Sequence, residues 1–207
     1  MPGASDRGPM VWFVRHAESI WNEAGLVQGQ ADAPGLSAAG TLQAEQLAVR
    51  LAGCGAGAVL SSDLLRAMET ARPIAARLSV PVTSEPMLRE RDLGAAQGRP
   101  TTSLVPSESG YDGTVVVDPD ARPAGGESLR QLYQRVGRCL EELRRSPLAP
   151  AMVVVTHGGF LRAARAWLAG TAVDAMGWTD EPNAEVWQVD LGRDRTRIEP
   201  SRQRQAR

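Results

Sequence analysis

The 207-residue chain has little of several things, and each shortage excludes something. It has two cysteines, Cys54 and Cys139, too few for a disulfide framework and without metal-ligand spacing. Both read as reduced, buried small residues. No apolar run approaches the roughly 18 residues of a membrane-spanning helix. The segment 1–9 lacks the basic start and long apolar stretch of a signal peptide, so the cytoplasm is the expected location. A net charge of −1 offers no global attraction to nucleic acid or to an anionic membrane. Any preference for anions must therefore be local. Histidine is equally scarce: the chain has only His16 and His157.

Those two histidines are also its most informative residues. His16 follows Met10-Val11-Trp12-Phe13-Val14-Arg15, and His157 follows Met152-Val153-Val154-Val155-Thr156. Each run reads as a buried parallel strand of the kind that alternates with helices. Ligands of open α/β sheets bind at the carboxyl ends of the strands, so both histidines should face one crevice.

The rest of the chain fits that frame. Apolar residues make up 43% and charged residues 23%, an ordinary globular balance for one domain of this length. Ser37 can cap a helix in which Ala44, Leu47, Ala48 and Leu51 form one apolar stripe. A strand over 58–60 leads to Ser61-Ser62-Asp63, which offers caps for a helix carrying Leu64, Ala67, Met68, Ala71, Ala75 and Leu78. Pro73 is expected to kink or restart that helix. Further strands are expected near 80–84, 151–155 and 184–190. Helices are expected over the Leu129–Leu143 stripe and over about 159–169. The alternation predicts a three-layer α/β/α sandwich with a mostly parallel sheet. The domain spans 10–191, between a disordered start (1–9) and an arginine-rich tail (192–207). Residues 97–126, rich in Gly, Pro, Ser and Asp, read as a lid-like excursion over the crevice, with a small strand at Val115–Val117. Gly53-x-Gly55-x-Gly57 precedes a strand, whereas a dinucleotide loop must follow one and open a helix.

The polar residues at the strand ends suggest phosphoryl chemistry. Arg66 would lie in the first turn of its helix, where a cation opposes the helix dipole. Arg15 would end a buried strand, where an unpaired charge is unfavourable. A shared anion relieves both, and two guanidinium forks suit the tetrahedral oxygens of phosphate. Gly158-Gly159 at a helix start could add backbone N–H groups. His16 could then attack phosphorus if one ring nitrogen is held as a donor. The departing alkoxide needs a proton, and Glu90 in Leu88-Arg89-Glu90-Arg91-Asp92 is the candidate acid. A protonated His157 would stabilise the developing charge.

Taken together, the motifs Arg15-His16-Ala17-Glu18-Ser19-Ile20-Trp21-Asn22, Gln28-Gly29, Ser61 to Ala67, Glu90 to Gly94, Gly125 to Ser128 and Val155 to Gly159 resemble the histidine phosphatase superfamily, in its phosphoglycerate mutase-like branch. The resemblance implies a phosphohistidine on His16, with Arg15, Arg66 and His157 on the phosphoryl group and Glu90 as acid and base. It places Asn22, Gln28, Gly29 and Gly158 in contact with phosphate or substrate. It implies no metal and no cofactor. Two departures stand out: Ala17 replaces the usual glycine, and Ala95-Ala96-Gln97-Gly98 replaces an acidic-Trp-Glu-Gly run.

The expected activity is hydrolysis of a small-molecule phosphomonoester, with no nucleic-acid or membrane partner. Monomer and homodimer both remain open. The alternatives are a mutase, a phosphoprotein phosphatase and a phosphate-binding module without turnover. The excursion holds only Arg99 and Arg122 against Glu108, Asp112, Asp118 and Asp120, a poor clamp for a bisphosphate.

Overall fold

The computed structural model describes residues 8–192. Its centre is a pair of parallel strands, β1 (Met10–Arg15) and β6 (Ala151–Thr156), joined in register from Met10–Ala151 to Arg15–Thr156. Strand β2 (Ala58–Ser61) adds in parallel to β6, and β3 (Val82–Ser84) adds in parallel to β2. Strand β7 (Val186–Asp190) closes the other edge antiparallel to β1. The order is β3-β2-β6-β1-β7. A separate hairpin, β4 (Tyr111–Asp112) and β5 (Val115–Val116), lies within the excursion.

The period of two in the strands divides the core into two layers. Val11, Phe13, Met152 and Val154 pack against α3 (Leu129–Arg145) and α4 (Gly158–Leu168). Val14, Val153 and Val155 face α1 (Ala38–Leu51) and α2 (Leu65–Leu78) on the other side. These runs read as continuously apolar because both sheet faces are covered. Phe13 stacks on Trp187 at 5.4 Å and meets Phe160 at 6.4 Å. Fully burying a side chain of that size contributes about 1.5–3 kcal/mol.

Several local expectations need correction. Helix α2 runs unbroken through Pro73, and none of Ser61, Ser62 and Asp63 is its cap: Leu64 holds that position without a side-chain hydrogen bond. The loop after His16 contains a one-turn helix, Ile20–Glu23, closed by a capping box between Ser19 and Asn22. The third strand covers only 82–84. Cys54 is half-buried, whereas Cys139 is buried and its thiol is pushed up to about 12 by that burial. The expected disordered start and arginine-rich tail lie outside the described residues except Gly8, Pro9 and Gly192. Pro9 is buried, and its carbonyl accepts from Leu191 N–H. Among the described residues, no helix is long and apolar enough to cross a membrane.

Candidate active site

The register of β1 against β6 builds the site. Arg15 and Thr156 are paired, so the two histidines leave adjacent strand ends together, and His16 N–H donates to the Thr156 carbonyl at 2.8 Å. The imidazole centroids lie 5.0 Å apart. His16 Nδ1 sits 2.8 Å from the Ala17 carbonyl, an acceptor, so Nδ1 carries the proton and Nε2 keeps the lone pair. Ala17 is fully buried at negative φ, and its N–H donates to Thr70 Oγ1. The methyl that departs from the family pattern is thus accommodated without strain.

His157 is fully buried beneath this layer. Its Nε2 lies 2.9 Å from Ser62 Oγ, which itself accepts from Leu64 N–H. Donation to Nε2 gives the buried Ser62 hydroxyl hydrogen its acceptor, and in that tautomer Nδ1 is the N–H donor, buried without a partner. Burial, reinforced by Arg66 and Arg15, holds both histidines well below their usual range. His157 is accordingly a neutral donor in the free protein.

Arg66 is fully buried, and its guanidinium is pulled down to about 10, chiefly by that burial. Its Nη1 and Nη2 donate to the carbonyls of Ala31 and Gly29, and its Nε has no partner. Arg15 repeats the arrangement: one Nη donates to the Glu181 carbonyl, Nε is unpartnered, and burial lowers its pKa. Arg15 Nε, Arg66 Nε and His157 Nδ1 are thus three buried donors without acceptors, contributed by three separate elements. Buried donors are rarely left unpaired, and three converging N–H groups suit the oxygens of a tetrahedral oxyanion.

Glu90 approaches from the loop after β3. Its Oε1 accepts from Arg91 N–H and its Oε2 from Gly159 N–H, at 2.8 and 2.9 Å. The Gly159 N–H, expected from the sequence to bind an anion directly, holds the Glu90 carboxylate instead. A side chain at 159 would run into that carboxylate. Gly158 lies beside Arg15: a Cβ there would sit 3.5 Å from Arg15 Nε.

Asn22, Gln28 and Gly29 line the same cavity as Arg15, His16, Arg66 and Glu90. The Ser19 hydroxyl donates its one hydrogen to Gln28 Oε1 at 2.7 Å, while Asn22 Oδ1 accepts from Ser19 N–H at 3.1 Å and from the Asn183 amide at 3.2 Å. The NH2 ends of Asn22 and Gln28 are left for the cavity. Gly29 has φ +51°, and a Cβ there would lie 2.9 Å from Leu93 N. Gln97, one of the departures from the family pattern, packs against this turn and accepts from Gln30 N–H. The cavity has a volume of about 210 Å³ and continues past these groups between apolar side chains.

Sequence reasoning missed the residues that hold this set in place. Arg91 donates to the carbonyls of Glu108, Ser109, Ala121 and Glu127, tying the excursion to the residue next to Glu90. Arg135 donates to the carbonyls of Met87, Arg89 and Glu90 and pairs with Glu127 at 2.7 Å. Buried Glu181 pairs with Arg165 at 3.0 Å. Asn183 donates to the His16 carbonyl. One signal was available: the chain contains no lysine, so every side-chain cation other than a histidine is a guanidinium, the group suited to binding several carbonyls at once.

The sequence profile of the histidine phosphatase superfamily (branch 1) matches residues 11–203. The chain belongs to that family. A "probable phosphoglycerate mutase" of Yersinia pestis is 34% identical over 181 residues, covering 87% of this chain and 84% of that protein. A mycobacterial glucosyl-3-phosphoglycerate phosphatase, solved with VO3, superimposes with a TM-score of 0.73 at 29% identity, covering 87% of this chain and 92% of the other. A mycobacterial hydrolase gives 0.74 at 27% identity, covering 89% and 92%. The two solved structures share the α/β fold with its mostly parallel sheet, and the relatives' names include both a phosphatase and a probable mutase.

Proposed function

We propose that this member of the superfamily is a phosphomonoesterase that transfers the phosphoryl group of a small metabolite to His16 and then to water. His16 Nε2, freed by the Nδ1 bond to Ala17, attacks phosphorus. The bond to the ester oxygen breaks, and Glu90 delivers a proton to that oxygen. Glu90 next takes a proton from a water that attacks the phosphohistidine, which releases inorganic phosphate and restores His16. Arg15, Arg66 and His157 bind the equatorial oxygens, where charge is spread in the transition state. Asn22, Gln28 and Gly158 complete the phosphate cradle, and Gly29 shapes the turn beneath it.

The observation favouring hydrolysis over a mutase is the character of the lid. Thr101, Leu104, Ser109 and Tyr111 are the excursion's contributions to the cavity, and none is cationic. Arg99 is paired with Glu108 at 2.7 Å, and Arg122 is exposed. No lid cation is therefore offered to a second phosphate. The relative named as a probable mutase keeps the isomerase reading as the alternative. Phosphate release from sugar phosphates, phosphoglycerates, nucleotides and an aryl phosphate tests the proposal, with His16→Ala as control. Release that disappears in the variant supports it. Migration of phosphate within a phosphoglycerate, without release, would replace it by the mutase.

A further inference from the structure

Beyond the phosphoryl end the cavity changes character. Leu26, Leu104, Leu129, Leu132 and Met176 line it, and polar side chains are few. Ser109 is engaged with the backbone of Tyr111. Arg91 is consumed by four carbonyls. Besides Thr101 at the rim of the excursion, two polar groups face the space. The Tyr111 side chain is buried; the Arg162 guanidinium reaches its hydroxyl, whose own hydrogen has no acceptor. Burial raises its pKa, so it stays a donor. Arg162, one turn into α4, lies against it.

Arg162 is placed where a lone cation is unfavourable. Its Nη1 comes within 3.6 Å of the position a Cβ would take on Gly158, the same spot that Arg15 Nε approaches at 3.5 Å. The two guanidinium groups therefore stand side by side, and the charge of Arg162 helps to lower the pKa of Arg15. Among the described residues no carboxylate pairs with Arg162. Its partners are the Thr179 carbonyl at 3.3 Å, the Tyr111 hydroxyl and the ring of Trp178, over which it stacks at 3.8 Å. Trp178 in turn meets Tyr111 edge-on at 5.3 Å. Stacking on Trp178 fixes the plane of the fork while leaving N–H groups to spend on a ligand.

Building on the phosphatase reading, the geometry points to a second subsite: Arg162 and Tyr111 bind one carboxylate on an otherwise apolar, ring-sized alcohol, so the substrate is a carboxylate-bearing apolar phosphomonoester rather than a sugar phosphate. The apolar walls accept a ring or branched hydrocarbon. The bound carboxylate satisfies the Tyr111 hydroxyl and neutralises the second guanidinium. A polyhydroxylated alcohol would bury hydroxyl groups among leucines without partners, which weakens binding.

The test is equilibrium binding to the full-length His16→Ala protein by calorimetry, alongside phosphate release by the unaltered protein. The probes are phenyl phosphate, 3- and 4-carboxyphenyl phosphate, glucose 6-phosphate and 3-phosphoglycerate. One carboxyphenyl ester is expected to bind about tenfold or more tightly than phenyl phosphate, and glucose 6-phosphate and 3-phosphoglycerate more weakly than that ester. Adding Arg162→Met should reduce the carboxyphenyl-to-phenyl preference about tenfold or more, and Tyr111→Phe about threefold. The gentler tyrosine change keeps the test readable if the arginine variant misfolds. Equal binding of both esters, or a preference untouched by either substitution, would overturn the subsite. Absence of phosphate release from esters that do bind would instead overturn the phosphatase reading and leave the subsite supported.

Discussion

His16 and His157 stand side by side, ring centroids 5.0 Å apart, because Arg15 and Thr156 are register partners on neighbouring parallel strands. Each ring has one nitrogen committed to the protein, His16 Nδ1 to a carbonyl and His157 Nε2 to Ser62. The opposite nitrogens are the ones available for chemistry. Replacing His16 with Ala should lower phosphate release by about 10³-fold or more while leaving the circular dichroism spectrum unchanged. Near-native turnover in that variant would remove His16 from the mechanism.

Glu90→Gln removes the proton donor and keeps the carboxamide's size. For alkyl phosphates the rate should fall by about 10²–10⁴-fold. For an activated aryl phosphate, whose leaving group departs with little help, the fall in the first step should be much smaller. Comparing burst amplitude and rate for the two substrate types checks this. Equal slowing of both would argue against an acid role.

Gly159 leaves no room for a side chain because the Glu90 carboxylate occupies that space and is held by Gly159 N–H. Gly159→Ala should displace Glu90 and resemble Glu90→Gln in its substrate dependence. Thermal melting of the variant distinguishes this from general destabilisation. Loss of activity spread evenly over all esters would instead indicate a wider disturbance.

The histidines also predict a pH dependence of stability. Both are held neutral in the folded protein by burial and by Arg66 and Arg15. Below their unfolded pKa of about 6.5, the unfolded chain binds protons that the folded chain does not. Stability therefore rises with pH in that window and falls as pH drops through it, by up to about 1.4 kcal/mol per pH unit for each histidine. Urea unfolding at about pH 7.5 and about pH 5.5 measures the slope. Saturating inorganic phosphate should flatten it, because a bound anion favours protonated imidazole. A pH-independent midpoint in the absence of phosphate would contradict neutral, buried histidines.

Among the described residues no group of three or more His, Cys, Asp or Glu side chains could hold a metal ion. On the proposed mechanism the phosphoryl charge is met by guanidinium and imidazole donors. Phosphate release should be unchanged after exhaustive treatment with a chelator. Inactivation reversed by a divalent cation would refute that assignment.

The strand ends and the polar residues on them were legible because they follow from short-range pattern. Two apolar runs ending in histidine already specify a paired crevice, and Arg66, off its helix's apolar stripe, lines the same cavity as His16. The clamps were not legible. Arg91 and Arg135 act through carbonyls contributed by loops distant in sequence, and no local pattern tells such an arginine from a solvated one. The caps of α2 were misjudged because Ser62 is turned to His157 instead of serving as the helix cap. The unbroken course of α2 through Pro73 reflects its packing, since Ala71, Ile74 and Ala75 on either side are buried. Gly159 was assigned to the anion because the sequence could not show Glu90 arriving there first.

The central claim is a phosphoryl group carried by His16. The most direct measurement mixes the enzyme with an aryl phosphate, quenches it in alkali within one turnover, and maps the phosphorylated peptide by mass spectrometry. The account predicts an acid-labile, alkali-stable phosphoryl group on the peptide containing His16, lost in the His16→Ala variant. Phosphate release with no such species, or with the label on another residue, would contradict it.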